Sequence, residues 1–277
     1  MSHTPTIIGH DRTIERLRIA IKRDTLHHAY LFEGPKGLGK ATVATYLAMA
    51  VNCEAENAPC GECTICSHIA QDIHPDVIYV RPDTERASAT ISVESIREVV
   101  RKTGYHRYGA RHRLIIIDPA EAMPPATGNA LLKTLEEPPR GTGFVLIANH
   151  SSSLLPTIVS RCQRIRFSPV DNRKLGQWLN QRGVEDPSPI LSRAEGCPGR
   201  ALTLLEGGLE ARNETRERML TILKADLDQL YIWSKALCDG DRQKWMPTAE
   251  AYIEIVEELL RDVVIRGSGS NLAPINI

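Results

Sequence analysis

Residues 31–42 read LFEGPKGLGKAT, and this segment sets the architecture of the chain. Its apolar start leads into a turn in which Gly34, Gly37 and Gly39 precede Lys40. The spacing is that of a Walker A motif, whose glycines let backbone N–H groups face a phosphate while the lysine reaches the outer phosphates. Because a strand-like run precedes the turn and a helical pattern follows it, we interpret it as a P-loop rather than an accidental glycine-rich turn.

The motif departs from its usual form at one position. A Ser or Thr normally follows the lysine and ligates Mg²⁺ through its hydroxyl, whereas this chain has Ala41 there. Thr42 is no substitute, because one helical residue onward points about 100° away. We therefore expect a phosphate cradle that has lost its Mg²⁺ ligand.

A second motif follows residues 113–117, which read RLIII and are succeeded by Asp118. A continuous apolar run of this length is typical of a central parallel strand buried on both faces. Asp118 alone could be a turn residue, but with the P-loop upstream it occupies the Walker B position, which binds Mg²⁺. Pro119 stands where ATPases of the AAA+ class carry a catalytic Glu, and we expect Glu121, two residues further on, not to reach that point.

Strands alternate with helices as far as residue 168, which predicts an α/β P-loop domain: a parallel sheet with helices on both faces. Beyond that point the sequence predicts helices alone. We divide the chain into this domain at residues 1–168, a small helical lid at residues 169–207 and a helical segment at residues 208–277. Gly207 and Gly208 read as a hinge between the last two parts.

Four of the seven cysteines fall within residues 53–66. They are Cys53, Cys60, Cys63 and Cys66. In a chain without secretory features, a double C-x-x-C arrangement indicates a metal site before a disulfide. Four thiolates suit a closed, tetrahedral, structural Zn²⁺ site, and the rival interpretations are redox-active cysteines or an iron–sulfur cluster. The three dispersed cysteines are expected to be buried thiols.

Composition narrows the class of protein. The 277 residues are 42% hydrophobic and 25% charged, with a formal net charge of zero, so no global basic field recruits nucleic acid and any DNA contact must be local. The N-terminal residues lack the apolar core of a signal peptide, and no apolar run approaches the roughly 20 residues that span a bilayer. We expect a cytoplasmic protein without membrane contact.

The assembled motifs resemble those of the AAA+ clamp-loader subunits of bacterial DNA polymerase III, over residues 8–265. The most specific segments are residues 129–139, NALLKTLEEPP, and residues 155–162, LPTIVSRC. The cysteine module after the P-loop helix is also a mark of this family. Its gamma/tau motor subunits keep GKT or GKS and an Asp-Glu pair, so the GKA at residues 39–41 and the Asp-Pro at residues 118–119 resemble the delta-prime type.

The resemblance implies roles for single residues. Arg161, in the SRC motif, would be an arginine finger that reaches the γ-phosphate of ATP in a neighbouring subunit; without the motif, a surface salt bridge would be the simpler interpretation. Asn149 matches the sensor 1 position and Arg200 matches sensor 2. The P-loop glycines, Lys40 and Asp118 would line the site, where ATP or ADP could bind without hydrolysis and where Mg²⁺ binding is in question.

The resemblance also implies partners. The chain would join gamma/tau and delta subunits in a hetero-oligomeric ring and meet the sliding clamp and primed DNA through that complex during replication. The family's C-terminal collar is longer than the segment here, so we expect either a shortened collar or a truncated form of the sequence. Two alternatives stay open: a working gamma/tau-like ATPase that tolerates Ala41 and Pro119, and a stand-alone DNA-binding zinc protein, which zero net charge disfavours.

Overall fold

The computed structural model describes residues 3–83, 89–240 and 242–268. Contacts group the chain into two units, each treated by itself below. The first comprises Met1–Gly183 with Gly196–Gly199, and the second comprises Val184–Glu195 with Arg200–Ile277. The division into three domains at residues 168 and 207 stays a prediction.

The first unit alternates strands with helices, as the sequence predicts. In chain order its elements are α1 (Asp11–Lys22), β1 (Ala29–Glu33), α2 (Lys40–Asn52), α3 (Thr64–Ala70), β2 (Val77–Val80), α4 (Val93–Thr103), β3 (Arg113–Ile117), α5 (Pro125–Glu136), β4 (Thr142–Ala148), α6 (Pro156–Val159), β5 (Gln163–Arg166) and α7 (Asn172–Gln181). The strands form one parallel sheet in the order β2-β3-β4-β1-β5. The predicted parallel α/β architecture is confirmed.

The period of two along each strand divides the core between the two faces of the sheet. In β1, Tyr30 and Phe32 pack in a cluster with residues of α1, α2 and α3. Ala29 and Leu31 belong to a second cluster, which includes residues of α4 and α5. Because both faces are covered, the central strands need apolar side chains at every position, which explains the uninterrupted run in β3.

The N-terminal ends of α4 and α1 are held by different contacts. Ser92 caps α4, its hydroxyl oxygen accepting a hydrogen bond from the backbone N–H of Ser95 at 3.0 Å. Asp11 is the first helical residue of α1, and His10 before it has left-handed backbone with φ 58° and no side-chain capping hydrogen bond. The Asp11 carboxylate accepts a hydrogen bond from Lys174 Nζ at 2.6 Å, so its partner is a side chain distant in sequence.

All secondary-structure elements among the described residues of the second unit are helices. The helices beyond α7 are α8 (Ser188–Ala194), α9 (Pro198–Thr203), α10 (Leu209–Ile222), α11 (Leu227–Leu237) and α12 (Arg242–Gly267), and the first two residues of α9 belong to the first unit. A small core contains Met219, Tyr252 and Ile255, with Trp233 edge-on to Tyr252. The expected hinge glycines lie in a π-helical segment, Leu204–Gly208, so helical structure continues through them. In the part of the chain that the structure describes, none of these helices has both the length and the apolar character that crossing a bilayer requires.

Candidate functional site

Parallel topology brings the predicted nucleotide-binding residues of the first unit to one edge of the sheet. The P-loop follows β1, Asp118 follows β3 and Asn149 follows β4, and these three strands are neighbours in the sheet. Carboxyl ends of parallel strands share an edge, so the three segments lie side by side. This is the edge at which open α/β sheets bind ligands.

The P-loop backbone depends on its glycines. Gly34, Gly37 and Gly39 have φ of 150°, 87° and 84°, a region that residues with a side chain rarely adopt. At Gly34 the space is also closed, because a Cβ atom would lie 2.4 Å from the carbonyl oxygen of Phe167. The backbone conformation agrees with the motif that the sequence predicts.

Lys40 is buried at the start of α2 and turned toward its own loop. Its Nζ donates to the carbonyl oxygens of Gly34 and of Pro35, the latter at 2.8 Å, and lies 3.4 Å from Oδ1 of Asn149. Burial lowers the pKa of Lys40, while the negative charge of Asp118 opposes that shift. The structure therefore joins Lys40, Asn149 and Asp118, which the sequence assigns to one site.

Asp118 adjoins a cavity beside the P-loop helix. Burial raises the pKa of the Asp118 carboxyl, and the nearby charge of Lys40 opposes the rise. The cavity has a volume of about 320 Å³, and Ala41, Thr42 and Asp118 are among the residues that line it. Ala41 thus presents a methyl group where the motif usually offers a hydroxyl. Thr42 borders the same cavity, closer to the site than its position in the helix suggests.

Glu121 lies beside this site, closer to it than its sequence position suggests, while the expectation that it does not reach the point of the missing catalytic Glu stays a prediction. It lies in a short 3₁₀ turn, and its Oε1 accepts a hydrogen bond from the backbone N–H of Asn149 at 3.0 Å. Its Oε2 is buried without a hydrogen-bond partner among the described residues. Its charge adds to the rise that burial causes in the pKa of Asp118, and it opposes the lowering that burial causes in the pKa of Lys40. The 3₁₀ turn after Pro119 redirects the chain toward β4, which residue spacing alone does not indicate.

Glu33, at the end of β1, is a second carboxylate that the sequence did not single out. Its Oε1 accepts from the backbone N–H and the hydroxyl of Ser151, at 3.1 and 2.8 Å. Its Oε2 accepts from Arg164 Nη2 at 2.7 Å. The Arg164 hydrogen bond is the main cause that lowers the pKa of Glu33 to about 2. This cluster ties the strand before the P-loop to the segments after β4 and α6.

Arg161 has its described contacts away from the P-loop. Its Nη2 forms an ion pair with Glu136 at the end of α5, and its Nη1 donates to the carbonyl oxygen of Thr157 at 2.7 Å. Its Nε is buried without a hydrogen-bond partner among the described residues. The guanidinium is therefore fixed by its own chain, with 31% of the side chain exposed.

Arg200 belongs to the second unit and is described there alone. Its Nη1 donates to Glu195 Oε2 at 2.7 Å, and Arg261 forms an ion pair with the other oxygen of the same carboxylate. Glu195 ends α8 in left-handed backbone with φ 50°. The conformation places one carboxylate between two arginines, a partner for Arg200 that the sequence did not predict.

The four clustered cysteines of the first unit converge. Their Sγ atoms all lie within 4.8 Å of one another, and all four are free thiols. Backbone N–H groups point at the sulfurs: Cys60 Sγ accepts from Glu62 and from Cys63, at 3.5 and 3.3 Å. These hydrogen bonds hold the pKa of Cys60 down to about 6. Four sulfurs so arranged fit the thiolate set of a structural Zn²⁺ ion.

Comparison with known proteins agrees with these motifs. A family model described as DNA polymerase III, delta subunit, matches residues 9–171. The delta′ subunit of DNA polymerase III from Bacillus subtilis is 37% identical, over 66% of this chain and 54% of that protein. The tau subunit of the same organism is 32% identical, over 92% of this chain and 46% of tau. The chain thus spans about half the length of these relatives.

A solved structure supports the fold. A DNA polymerase III gamma subunit-related protein from Thermotoga maritima superposes with a TM-score of 0.52 at 24% identity, covering 90% of this chain and 72% of that one. Delta′ subunits from further bacteria, including Pseudomonas aeruginosa at 34% identity over 72% of this chain, support the resemblance to the delta-prime type. With the family model covering more than half of its residues, the chain belongs to the clamp-loader family of DNA polymerase III delta subunits.

Proposed function

We propose that this chain acts as a delta-prime-type subunit of a bacterial DNA polymerase III clamp loader. In this role it joins gamma/tau and delta subunits in a cytoplasmic hetero-oligomer that loads the sliding clamp onto primed DNA. The family model and the delta′ relatives support the assignment. Within this complex the chain contacts the neighbouring subunits, and it meets the clamp and the primed DNA as part of the assembly.

The observation that carries the proposal is a P-loop kept without its catalytic groups. In support, Gly34 has a positive φ, and Lys40 Nζ hydrogen-bonds the carbonyl oxygen of Gly34 within the loop. Ala41 supplies no hydroxyl for Mg²⁺, and Pro119 replaces the carboxylate that would polarise the attacking water. Such a site can hold ATP or ADP weakly without turning it over. The subunit's contribution to hydrolysis is then made elsewhere on its surface.

Arg161 is the residue that we propose for that contribution, as an arginine finger in trans. A guanidinium is permanently charged and planar, which suits it to the oxygens of a γ-phosphate. Its contacts with Glu136 and Thr157 fix the side chain before any partner arrives, which limits the conformational entropy lost on engagement. The simpler alternative is that the pair with Glu136 is a surface salt bridge and nothing more.

Arg161→Ala tests this role in the assembled loader. We expect the purified chain alone to show no ATP turnover, and its mixture with gamma/tau and delta to hydrolyse ATP. Arg161→Ala should slow hydrolysis at the single site it faces by about 10³-fold, so the total rate falls by that site's share. The matched control is Arg173→Ala, an exposed arginine on α7, which should leave the rate unchanged. Equal turnover with Arg161→Ala and Arg173→Ala would exclude the finger.

A second candidate function is a working gamma/tau-like ATPase. The observation that favours it is Glu121, whose carboxylate stands beside Lys40 and Asp118 and could replace the missing catalytic Glu. The 32% identity to tau over most of the chain points the same way. In this case the isolated chain itself hydrolyses ATP. Measuring its ATP turnover without partner subunits therefore tests this function.

Glu121→Gln separates the two functions. The amide keeps a carbonyl oxygen for the N–H of Asn149 but removes the charge, so a motor should lose about 10²-fold or more of its turnover. A chain without its own ATPase has no rate to lose. The control is Glu137→Gln, an exposed carboxylate after α5. Measurable turnover by the isolated chain that Glu121→Gln abolishes would establish the motor instead.

We also propose that Cys53, Cys60, Cys63 and Cys66 hold a structural Zn²⁺ ion. The support is the convergence of four sulfurs with N–H donors around them. With all four positions taken by protein ligands, the ion would stabilise the module and leave no open position for substrate.

A further inference from the structure

The last residues of α4 and the loop between α4 and β3 concentrate positive charge and aromatic rings. Residues 101–112 read RKTGYHRYGARH, with four Arg or Lys and no Asp or Glu, in a chain whose net charge is zero. Tyr105 and Tyr108 are 56% and 80% exposed. The loop precedes β3, so it lies at the edge of the sheet opposite to the P-loop. The proposed ATP chemistry does not use it.

A buried ion pair holds the backbone of this loop through hydrogen bonds. Arg113 and Asp76 have side chains only 3% and 0% exposed, and Arg113 donates to Asp76 Oδ1 through Nη2 at 2.7 Å and through Nε at 3.1 Å. Two charges leave water only at a cost, which is offset when the remaining hydrogen-bonding groups are satisfied. Here the loop backbone satisfies them.

The remaining hydrogen bonds of the pair fix the loop backbone. Arg113 donates to the carbonyl oxygens of Tyr105 at 3.0 Å and His106 at 3.1 Å. Asp76 Oδ2 accepts from the backbone N–H of Tyr108 at 2.6 Å. The same buried ion pair therefore fixes the backbone at both exposed tyrosines. Their rings project from a loop whose backbone is held in place.

A polar cavity adjoins this loop. It has a volume of about 490 Å³, and Arg107 and Arg140 are among the residues that line it. Arg107 Nη1 donates to the carbonyl oxygen of Arg140 at 2.8 Å. Gly141 makes this possible, because it has φ 71° and a Cβ there would lie 1.9 Å from Arg107 Nη1. The absence of a side chain at Gly141 therefore lets the Arg107 guanidinium pack against the backbone beside the cavity.

We propose that this loop is a contact site for a nucleic-acid strand. Arginines track phosphates while exposed rings stack on bases, a combination typical of proteins that bind single strands. The positive charge comes from Arg107, Arg111 and Arg140. Lys102 is not counted, because its Nζ forms an ion pair with Glu98 Oε1 at 3.0 Å. A protein partner would be expected to seat apolar anchors in an apolar cavity, but arginines and a histidine border this one. Zero net charge makes the local cluster the place where such a contact can form.

The test mixes the purified 277-residue chain with a fluorescently labelled single-stranded oligonucleotide and follows binding by fluorescence anisotropy at 50–200 mM salt. Tyr108→Ala should weaken binding about 10-fold, as expected for loss of one stacked base. Its control is Tyr231→Ala, which changes a tyrosine of the second unit that is 68% exposed, and this variant should bind like the parent chain. Replacing Arg107 and Arg111 by Ala should reduce the slope of log K against log salt by about 1.4.

Three results would overturn the proposal: no binding at 50 mM salt, equal binding by Tyr108→Ala and the parent chain, or an unchanged salt slope in the double variant. If Tyr108→Ala binds the oligonucleotide normally but joins gamma/tau and delta more weakly, the loop is a protein-binding surface instead. Circular dichroism checks that the variants are folded. The binding assay needs neither ATP nor another subunit, so its outcome is independent of the role proposed for Arg161.

Discussion

The carboxylate of Glu33 joins separate parts of the chain at the edge where the proposed nucleotide site lies. It accepts hydrogen bonds from Ser151 and Arg164, residues more than 100 positions away in sequence. The residue directly precedes Gly34 and is paired with Arg166 in the sheet. A single side chain therefore helps to set the position from which the P-loop departs.

We predict that Glu33→Gln lowers the free energy of unfolding by about 1–2 kcal/mol at pH 7, because a neutral amide replaces charge-assisted hydrogen bonds. The folded chain holds the pKa of Glu33 at about 2, below its ordinary value of 4.5. The carboxylate therefore contributes stability above about pH 4.5, and the contribution is lost as the pH falls toward 2.

Thermal unfolding of Glu33→Gln and the parent chain, measured between pH 3 and pH 8, checks this dependence. The difference between the two melting temperatures should shrink below pH 4.5. Glu15→Gln, an exposed carboxylate on α1, serves as the control and should show no such convergence. A difference that stays constant from pH 8 to pH 3 would contradict the ionic contribution of Glu33.

The sequence predicts some site residues well and others not at all. Lys40 and Asp118 follow from local spacing, because each sits at a fixed place relative to a strand. Glu33 and Glu121 escape that reasoning, since the contacts that define them link residues 118 and 28 positions apart. Such partners depend on which strands are neighbours in the sheet, and hydrophobic periodicity does not encode that order.

At the scale of elements, helix α2 connects the two sites of the first unit. Lys40 begins the helix, and Cys53 follows its last residue, with the N–H of Cys53 donating to the carbonyl oxygen of Met49 at 2.8 Å. Most of the helix between them is buried. The cysteine module therefore closes the C-terminal end of the helix whose N-terminal end faces the proposed phosphate site.

We predict that Cys63→Ser lowers both the bound zinc and the melting temperature of the chain, because metal binding contributes directly to folding. Elemental analysis should find about one Zn²⁺ per parent chain and much less in the variant. Cys238→Ser is the matched control, because Cys238 lies outside the cluster and is exposed in the second unit, contrary to the prediction of a buried thiol. Equal zinc content in Cys63→Ser and the parent chain would contradict the site.

At the scale of the whole molecule, alternation of strands and helices predicts the fold class, and the structure confirms it. The strand order is not predicted, because parallel strands joined by crossovers allow several arrangements. The hinge at Gly207 and Gly208 stays a prediction, and the structure shows that both glycines lie in π-helical backbone, where a loop would be the usual expectation. Two glycines lower helix propensity, but tertiary packing can override that weak preference.

The buried pair of Asp76 and Arg113 has a consequence for how the family's sequences can drift. Replacing only one partner leaves an unpaired charge in the interior and lowers the free energy of unfolding by about 3–5 kcal/mol. Replacing both by apolar residues of similar volume can leave that free energy nearly unchanged. Evolution should therefore change the two positions together. Among relatives, an apolar residue at one position is expected to accompany an apolar residue at the other, and with the pair should go the tyrosine-bearing loop that it supports.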